Sequence, residues 1–74
     1  MARFPVMSGD DFVKVMHKMG YVWDYTEGSH MILLHPSGRR LSVPRHKELG
    51  TGLLRSLIGD AGLTREEFIR LLRE

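Results

Sequence analysis

The residues of this sequence best suited to chemistry form the short run Gly28-Ser29-His30. Histidine is the side chain that gains and loses a proton near neutral pH, so His30 can act as a general acid or a general base. Gly28 lets the backbone approach a ligand closely, and Ser29 adds a hydroxyl beside the imidazole. The run is therefore compatible with a proton-transfer site at His30, although the spacing alone does not favour it over a structural role. The alternative is a turn histidine whose ring is hydrogen-bonded to a backbone carbonyl.

Proton transfer by histidine suits the cleavage of RNA without a metal. The reaction deprotonates a 2′-hydroxyl, adds charge to the phosphate and protonates a 5′-oxygen, and an imidazole can perform either proton transfer. The sequence has no cysteine, which excludes a thiolate nucleophile and a thiolate metal site. The four histidines have no Asp or Glu at ligand spacing, so we expect neither a metal nor another cofactor.

Positive charge is concentrated in the middle of the chain. Residues 30–56 hold five Lys or Arg against one Glu, whereas residues 1–29 and residues 57–74 each hold three against four. A polyanion would bind such a segment through its phosphates, although a solvated basic loop has the same composition. The candidate phosphate-binding residues are Arg39, Arg40, Arg45, Lys47 and Arg55.

The three other histidines differ in what their positions allow. His46 lies within the basic segment, where it can bind phosphate or supply the complementary proton transfer, or else shape and cap the loop before a helix. His35 is five residues from His30, so on a regular strand the two side chains point to opposite faces. His17 falls on a predicted helix and is expected in solvent.

The elements that must position these residues follow from hydrophobic spacing and turn residues. Residues 1–7 have no period and contain Pro5, which predicts a flexible arm before a single domain over residues 8–74. Helical spacing covers about 9–19, 52–61 and 65–72, and strand patterns cover 21–26, 30–35 and 40–43. Because the connections are too short for parallel crossovers, we predict an α+β fold, α-β-β-β-α-α, with a three-stranded antiparallel sheet packed on helices. The longest apolar run, residues 31–34, is far too short to span a membrane.

Three aromatic residues, Tyr21, Trp23 and Tyr25, alternate along the first predicted strand and are therefore expected on one face of it. We predict that Tyr21 and Trp23 are buried beneath the first helix. Tyr25 is nearest the His30 turn and is expected to remain free to contact RNA.

Two motifs, Gly28-Ser29-His30 and Pro44-Arg45-His46, stand 14 residues apart in this small domain. A serine-capped first helix and a glycine before an aromatic residue precede them, and the run over residues 52–58 follows. In this order the motifs closely resemble those of the HicA toxins of bacterial and archaeal toxin–antitoxin pairs. The resemblance covers residues 8–72.

The resemblance implies a fold similar to the double-stranded RNA-binding domain and the activity of a ribosome-independent mRNA endonuclease, with His30 as the catalytic residue. RNA contacts then fall on Gly28, Ser29 and His46 together with the five basic residues named above. It also implies a cytoplasmic protein whose partners are mRNA and a HicB-like antitoxin that covers the His30 site, with no membrane and no direct DNA binding by this chain alone.

One stretch departs from the family pattern. Family members often carry Lys or Arg just before Gly-Ser-His, whereas residues 24–27 here are Asp-Tyr-Thr-Glu, so the resemblance assigns no phosphate contact there. The alternatives to an endonuclease are a non-catalytic RNA-binding module of the same fold and a protein-interaction domain whose ligand is the antitoxin.

Overall fold

The chain folds into three helices and three strands in the predicted order, α-β-β-β-α-α. The structure is a computed structural model and describes residues 4–74. The helices are α1 (Gly9–Lys18), α2 (Thr51–Asp60) and α3 (Arg65–Leu72), and the strands are β1 (Val22–Glu27), β2 (His30–Leu34) and β3 (Arg40–Pro44). The predicted α+β fold class is confirmed, and every bound lies within one residue of its predicted position.

The three strands form one antiparallel sheet in which β2 lies between β1 and β3. A two-residue turn, Gly28-Ser29, joins β1 to β2, and Gly28 has a φ of 60°. Glycine suits this first turn position because a side chain would be strained at a positive φ. The turn sets the register of the sheet, so that His30 is paired with Glu27 on one side and with Pro44 on the other.

The core lies between the helices and one face of the sheet. The sheet residues in the hydrophobic core are Met31, Leu33, Leu41 and Val43, which alternate along β2 and β3, and Pro44 at the end of β3 is buried as well. Because side chains alternate between faces, the other residues of these strands point away from the helices. Within residues 4–74 no helix covers that second face, which we call the open face. Strand parity and register assign to it Val22, Tyr25, Glu27, His30, Ile32, Leu34, Arg40 and Ser42.

The aromatic residues around β1 do not share one face. Tyr21 lies before the strand and is 1% exposed, with its hydroxyl donating to the Ala61 carbonyl at 3.3 Å. Trp23 is 55% exposed, so the prediction that it is buried beneath the first helix is wrong. It lies on the edge strand, all of whose residues are exposed. A β-bulge between Trp23 and Tyr25, where Asp24 has no partner on β2, shifts the alternation only after Trp23. Trp23 therefore lies on the same face of the sheet as the core residues, but at the edge, whereas Tyr25 lies on the open face.

Residues 4–7 pack against the core although they form neither helix nor strand. Met7 is buried, and its carbonyl accepts the Leu49 N–H at 2.8 Å. Phe4 packs edge-on against Phe68 of α3, with 6.3 Å between the ring centroids. The sequence assigns residues 1–7 to a flexible arm. Residues 1–3 lie outside the described part of the chain, and of residues 4–7 Phe4 and Met7 pack with the core whereas Pro5 and Val6 are exposed.

Helix α3 begins with the capping box that the sequence predicts. Thr64 Oγ1 accepts the Glu67 N–H at 3.1 Å, and Glu67 Oε1 accepts the Thr64 N–H at 2.9 Å. These hydrogen bonds with Thr64 hold the pKa of the Glu67 carboxyl below its usual range. Protonation of Glu67 therefore weakens the box, and its stabilising effect is lost as the pH falls through that lowered pKa.

Thr64→Ala is expected to lower the free energy of unfolding by about 1 kcal/mol at neutral pH, because the Glu67 N–H loses its acceptor. The difference from the wild type should shrink in acid, where Glu67 is protonated and the box is already weakened. Urea unfolding at several pH values measures both effects. Thr51→Ala is the matched control, since α2 has its N-cap at Gly50 and no side-chain cap hydrogen bond. An equal loss in the two variants would contradict the role given to the box.

Candidate active site

His30 is the first residue of the central strand and lies on the open face. Its backbone is held from both sides by the pairing with Glu27 and with Pro44. With Glu27, Ile32 and Ser42 it lines a shallow cavity of about 300 Å³. Within residues 4–74 the imidazole has no hydrogen-bond partner, so the structure does not contain the carbonyl-bonded turn histidine that was the alternative. The ring is exposed and available to a ligand.

The structure brings the two sequence motifs together beside His30. The Arg45 N–H donates to the Ser29 carbonyl at 2.7 Å, which ties the loop after β3 to the Gly28-Ser29 turn. The Gly9 N–H in turn donates to the His46 carbonyl at 2.9 Å. The start of α1 therefore supports the loop, and the loop supports the turn that carries His30.

The loop after β3 contributes the positive charge nearest this site. Arg45, His46 and Lys47 are all exposed, and Arg45 Nε lies 3.6 Å from Asp10 Oδ1. Both side chains of that ion pair are more than half exposed, so it contributes little stability and leaves Arg45 free to exchange partners. His46 does not cap α2, whose N-cap residue is Gly50, so that part of the alternative interpretation is not observed.

The other candidate phosphate-binding residues lie away from His30. Arg39 donates from Nη1 to the Asp60 carbonyl at 3.1 Å, at the end of α2. Burial raises the pKa of Tyr21, and the nearby Arg39 charge partly opposes that effect. Arg40 is paired with Leu34 at the far end of the sheet, about 13 Å from His30 at the usual strand rise. Arg55 lines a cavity of about 480 Å³ on the helical side, together with Phe4, Ile58 and Arg65.

Two of the four histidines have structural partners. His35 Nδ1 accepts the Ser37 N–H at 3.0 Å, so its Nε2 carries the proton and donates to the Met19 carbonyl at 3.0 Å. His17 is exposed as predicted, yet its Nδ1 lies 3.1 Å from the Tyr21 carbonyl. Among residues 4–74, His30 and His46 are thus the histidines whose rings remain free.

Glu27 and Ser42 are neighbours of His30 that the sequence interpretation did not include. Both line the same cavity as the imidazole, from β1 and β3 respectively. The signal for Glu27 was present in the sequence, because a two-residue hairpin turn places the residues on either side of it opposite each other. Ser42 depends on the register between β2 and β3, which pairs it with Ile32.

Residues 4–74 contain neither a cluster of side chains suited to a metal ion nor a helix suited to a membrane. No group of three or more His, Cys, Asp or Glu side chains is placed to hold a metal ion. None of the helices in this part of the chain has the length and apolar character needed to cross a bilayer.

A three-stranded antiparallel sheet with helices on one face, in the order α-β-β-β-α-α, defines an α+β domain of the double-stranded-RNA-binding type. The site adds a free histidine at a glycine turn on the open face. A comparison with curated proteins gives no match. The family model described as HicA toxin of bacterial toxin–antitoxin matches residues 9–63, which include both motifs. The chain therefore belongs to the HicA toxin family, the toxin half of a toxin–antitoxin pair whose partner is a cognate antitoxin.

Proposed function

We propose that this HicA-family toxin is a ribosome-independent mRNA endoribonuclease in which His30 is the catalytic residue. The observation that carries the proposal is the free imidazole on the open face, held by backbone pairing on both sides. A group fixed in this way reaches a substrate without first breaking a hydrogen bond of its own. The helical side of the domain offers no comparable histidine, since His17 and His35 bind backbone carbonyls.

The reaction is an attack of the RNA 2′-oxygen on the adjacent phosphorus. A base removes the 2′-proton, the new phosphorus–oxygen bond forms and the bond to the 5′-oxygen breaks. An acid protonates the 5′-oxygen, which leaves a 2′,3′-cyclic phosphate and a 5′-hydroxyl. His30 performs one of these proton transfers, and no metal is required.

The phosphate is bound by the loop and turn that surround His30. Arg45, His46 and Lys47 supply charge and hydrogen-bond donors, Gly28 allows close backbone approach and Ser29 offers its hydroxyl. Arg40 lies further along the open face and can contact the same RNA at a more distant phosphate. Arg39 and Arg55 are left out of the site, because one is bound to the end of α2 and the other lies on the helical side.

The antitoxin in this proposal is a HicB-like protein that covers the open face at His30. Inhibition then needs only to block access of RNA to the imidazole. We place toxin and antitoxin in the cytoplasm, where mRNA is available.

Purified protein is expected to cleave an mRNA transcript in the absence of ribosomes and at an undiminished rate in the presence of EDTA. A transcript with a 2′-deoxynucleotide at the cleaved position should remain intact there, because the nucleophile is missing. Gel analysis and end-group assay of the products measure both results. RNA that is bound but never cut would favour a non-catalytic RNA-binding module of the same fold. Cleavage at the deoxynucleotide would exclude the 2′-hydroxyl route.

A further inference from the structure

We propose that Glu27 is the second proton-transfer residue of the His30 site. Its carboxylate takes the proton from the RNA 2′-hydroxyl, and the protonated His30 imidazole gives a proton to the departing 5′-oxygen. The inference rests on the function proposed above. That reaction needs both a base and an acid, and His30 alone supplies only one of them.

The register of the first hairpin places the two side chains together. Glu27 ends β1, His30 begins β2, and they are paired across the Gly28-Ser29 turn. Directly opposite residues of an antiparallel pair share a face, with Cβ atoms about 5 Å apart. Both side chains line the cavity of about 300 Å³, and within residues 4–74 neither has a hydrogen-bond or ion-pair partner. The carboxylate and the imidazole are thus free, adjacent and open to the same ligand.

Few other charged groups lie close to the Glu27 carboxylate and the His30 imidazole. The β3 residues on the other side of His30 are Pro44 and, within the cavity, Ser42, neither of which titrates near neutral pH. On β1 the other open-face group with a titratable proton is the Tyr25 phenol. In the adjoining loop, neither Arg45, which forms an exposed ion pair with Asp10, nor Lys47 lines the cavity. His46 lies beyond the end of β3 and does not line the cavity, so Glu27 is better placed than His46 to work with His30.

The chemistry of the two side chains decides which one is the base and which one is the acid. In a direct displacement at phosphorus the attacking and departing oxygens lie on opposite sides, so two groups serve the two proton transfers. An exposed carboxylate is ionised near neutral pH and can only accept a proton there, whereas an imidazole also exists in its protonated, donating form. The 2′-proton passes to Glu27, the bond to the 5′-oxygen breaks as the cyclic phosphate forms, and the 5′-oxygen takes the proton of His30.

A negative charge beside a phosphate also weakens RNA binding, and this separates the proposed role from a merely electrostatic one. Removal of the carboxylate should lower KM for RNA while it lowers kcat. An acidic residue that only repels RNA would show the lower KM without the loss of kcat. Asp24 provides the comparison, because it carries the same charge on the same strand but lies in the bulge and lines no part of the His30 cavity.

The experiment measures kcat and KM for RNA cleavage across pH for the full chain and for Glu27→Gln, Glu27→Asp, Asp24→Asn and His30→Ala. Glu27→Gln is expected to lower kcat by about 100-fold or more and to remove the rise of kcat on the acid side, which reports deprotonation of the base. Glu27→Asp should retain part of kcat and should still show the rise of kcat on the acid side of the pH profile. Asp24→Asn should keep the wild-type kcat and the whole wild-type pH profile. Thermal melting of each variant checks its folding.

A substrate with sulfur in place of the bridging 5′-oxygen separates the two roles, because the thiolate departs without a proton. It should restore cleavage by His30→Ala and leave Glu27→Gln slow. A folded Glu27→Gln variant with wild-type kcat, while His30→Ala is inactive, would overturn the role of Glu27 and leave the proposed function standing. Rescue of Glu27→Gln by the sulfur substrate would overturn the assignment of base and acid. A wild-type protein that cuts no RNA would overturn both proposals.

Discussion

His30→Ala is expected to abolish the growth arrest caused by expression of the toxin and to lower RNA cleavage by about 100- to 10,000-fold. The reason is that the imidazole is the proposed donor of a proton to the departing 5′-oxygen, and alanine provides no group to replace it. The fold should survive the change, because His30 is exposed and its backbone pairing does not involve the side chain. Growth curves in an inducible host and single-turnover cleavage of RNA measure the two effects.

His17→Gln is the matched control for this experiment. His17 is also an exposed histidine, but it lies on α1 at the helical side and its Nδ1 faces the Tyr21 carbonyl. Glutamine can donate to the same carbonyl, so the control should remain toxic and should cleave RNA at the wild-type rate. Growth arrest that persists in His30→Ala, at equal protein levels, would exclude His30 as the catalytic residue.

Gly9→Ala should be among the most damaging small substitutions in the chain. A Cβ at Gly9 would overlap the Pro44 carbonyl oxygen and would lie 3.1 Å from the Pro44 carbonyl carbon and 3.4 Å from Arg45 Cα. These are backbone atoms at the end of β3, so they cannot rotate out of the way as a flexible side chain would. The variant must separate α1 from the loop or strain both. We expect a loss of about 2–3 kcal/mol in the free energy of unfolding, which lowers Tm by roughly 10–20 °C.

The same displacement should reach the candidate active site at His30. The His46 carbonyl loses its hydrogen bond from Gly9, and the neighbouring Arg45 N–H holds the turn before His30. Cleavage by Gly9→Ala should therefore fall even at a temperature where circular dichroism shows the variant folded. Gly52→Ala is the contrasting substitution, because Gly52 lies in α2 with open space around it. This variant should have a free energy of unfolding about 0.5–1 kcal/mol higher than the wild type. If the two variants had equal Tm values, the close approach at Gly9 would not limit stability.

The order of elements was predictable because each one has a local signal. Ser8 caps α1, the capping box of Thr64 and Glu67 begins α3, and Gly28-Ser29 is long enough only for a hairpin turn. The bulge at Asp24 has no comparable signal, because it arises from how β1 meets β2 along the edge of the sheet. Alternation therefore placed Tyr25 on the same face as Trp23, whereas the bulge puts it on the open face. Trp23 does keep the core-face parity, but alternation does not show that its strand lies at the edge, where the side chain is exposed.

The candidate site was predictable in part. The hairpin places His30, and the hydrogen bond from Arg45 to Ser29 joins the two motifs that the sequence singled out. The basic residues could not be assigned from composition, because what engages Arg39 is a carbonyl at the end of α2, 21 residues away in the chain. Glu27 was recognised only as a departure from the family pattern, and its pairing with His30 gives that departure a chemical interpretation.

In the proposed function the residues required for toxicity lie on the open face, whereas the residues required for stability lie in the core. The core draws on the other side of the sheet, so His30 and Glu27 can change without removing a buried contact. Escape from toxicity is therefore open to single substitutions that leave a stable, full-length protein. Such a protein would still present the rest of its surface to the antitoxin. An inactive copy could then act as a decoy, drawing antitoxin away from active toxin in the same cell.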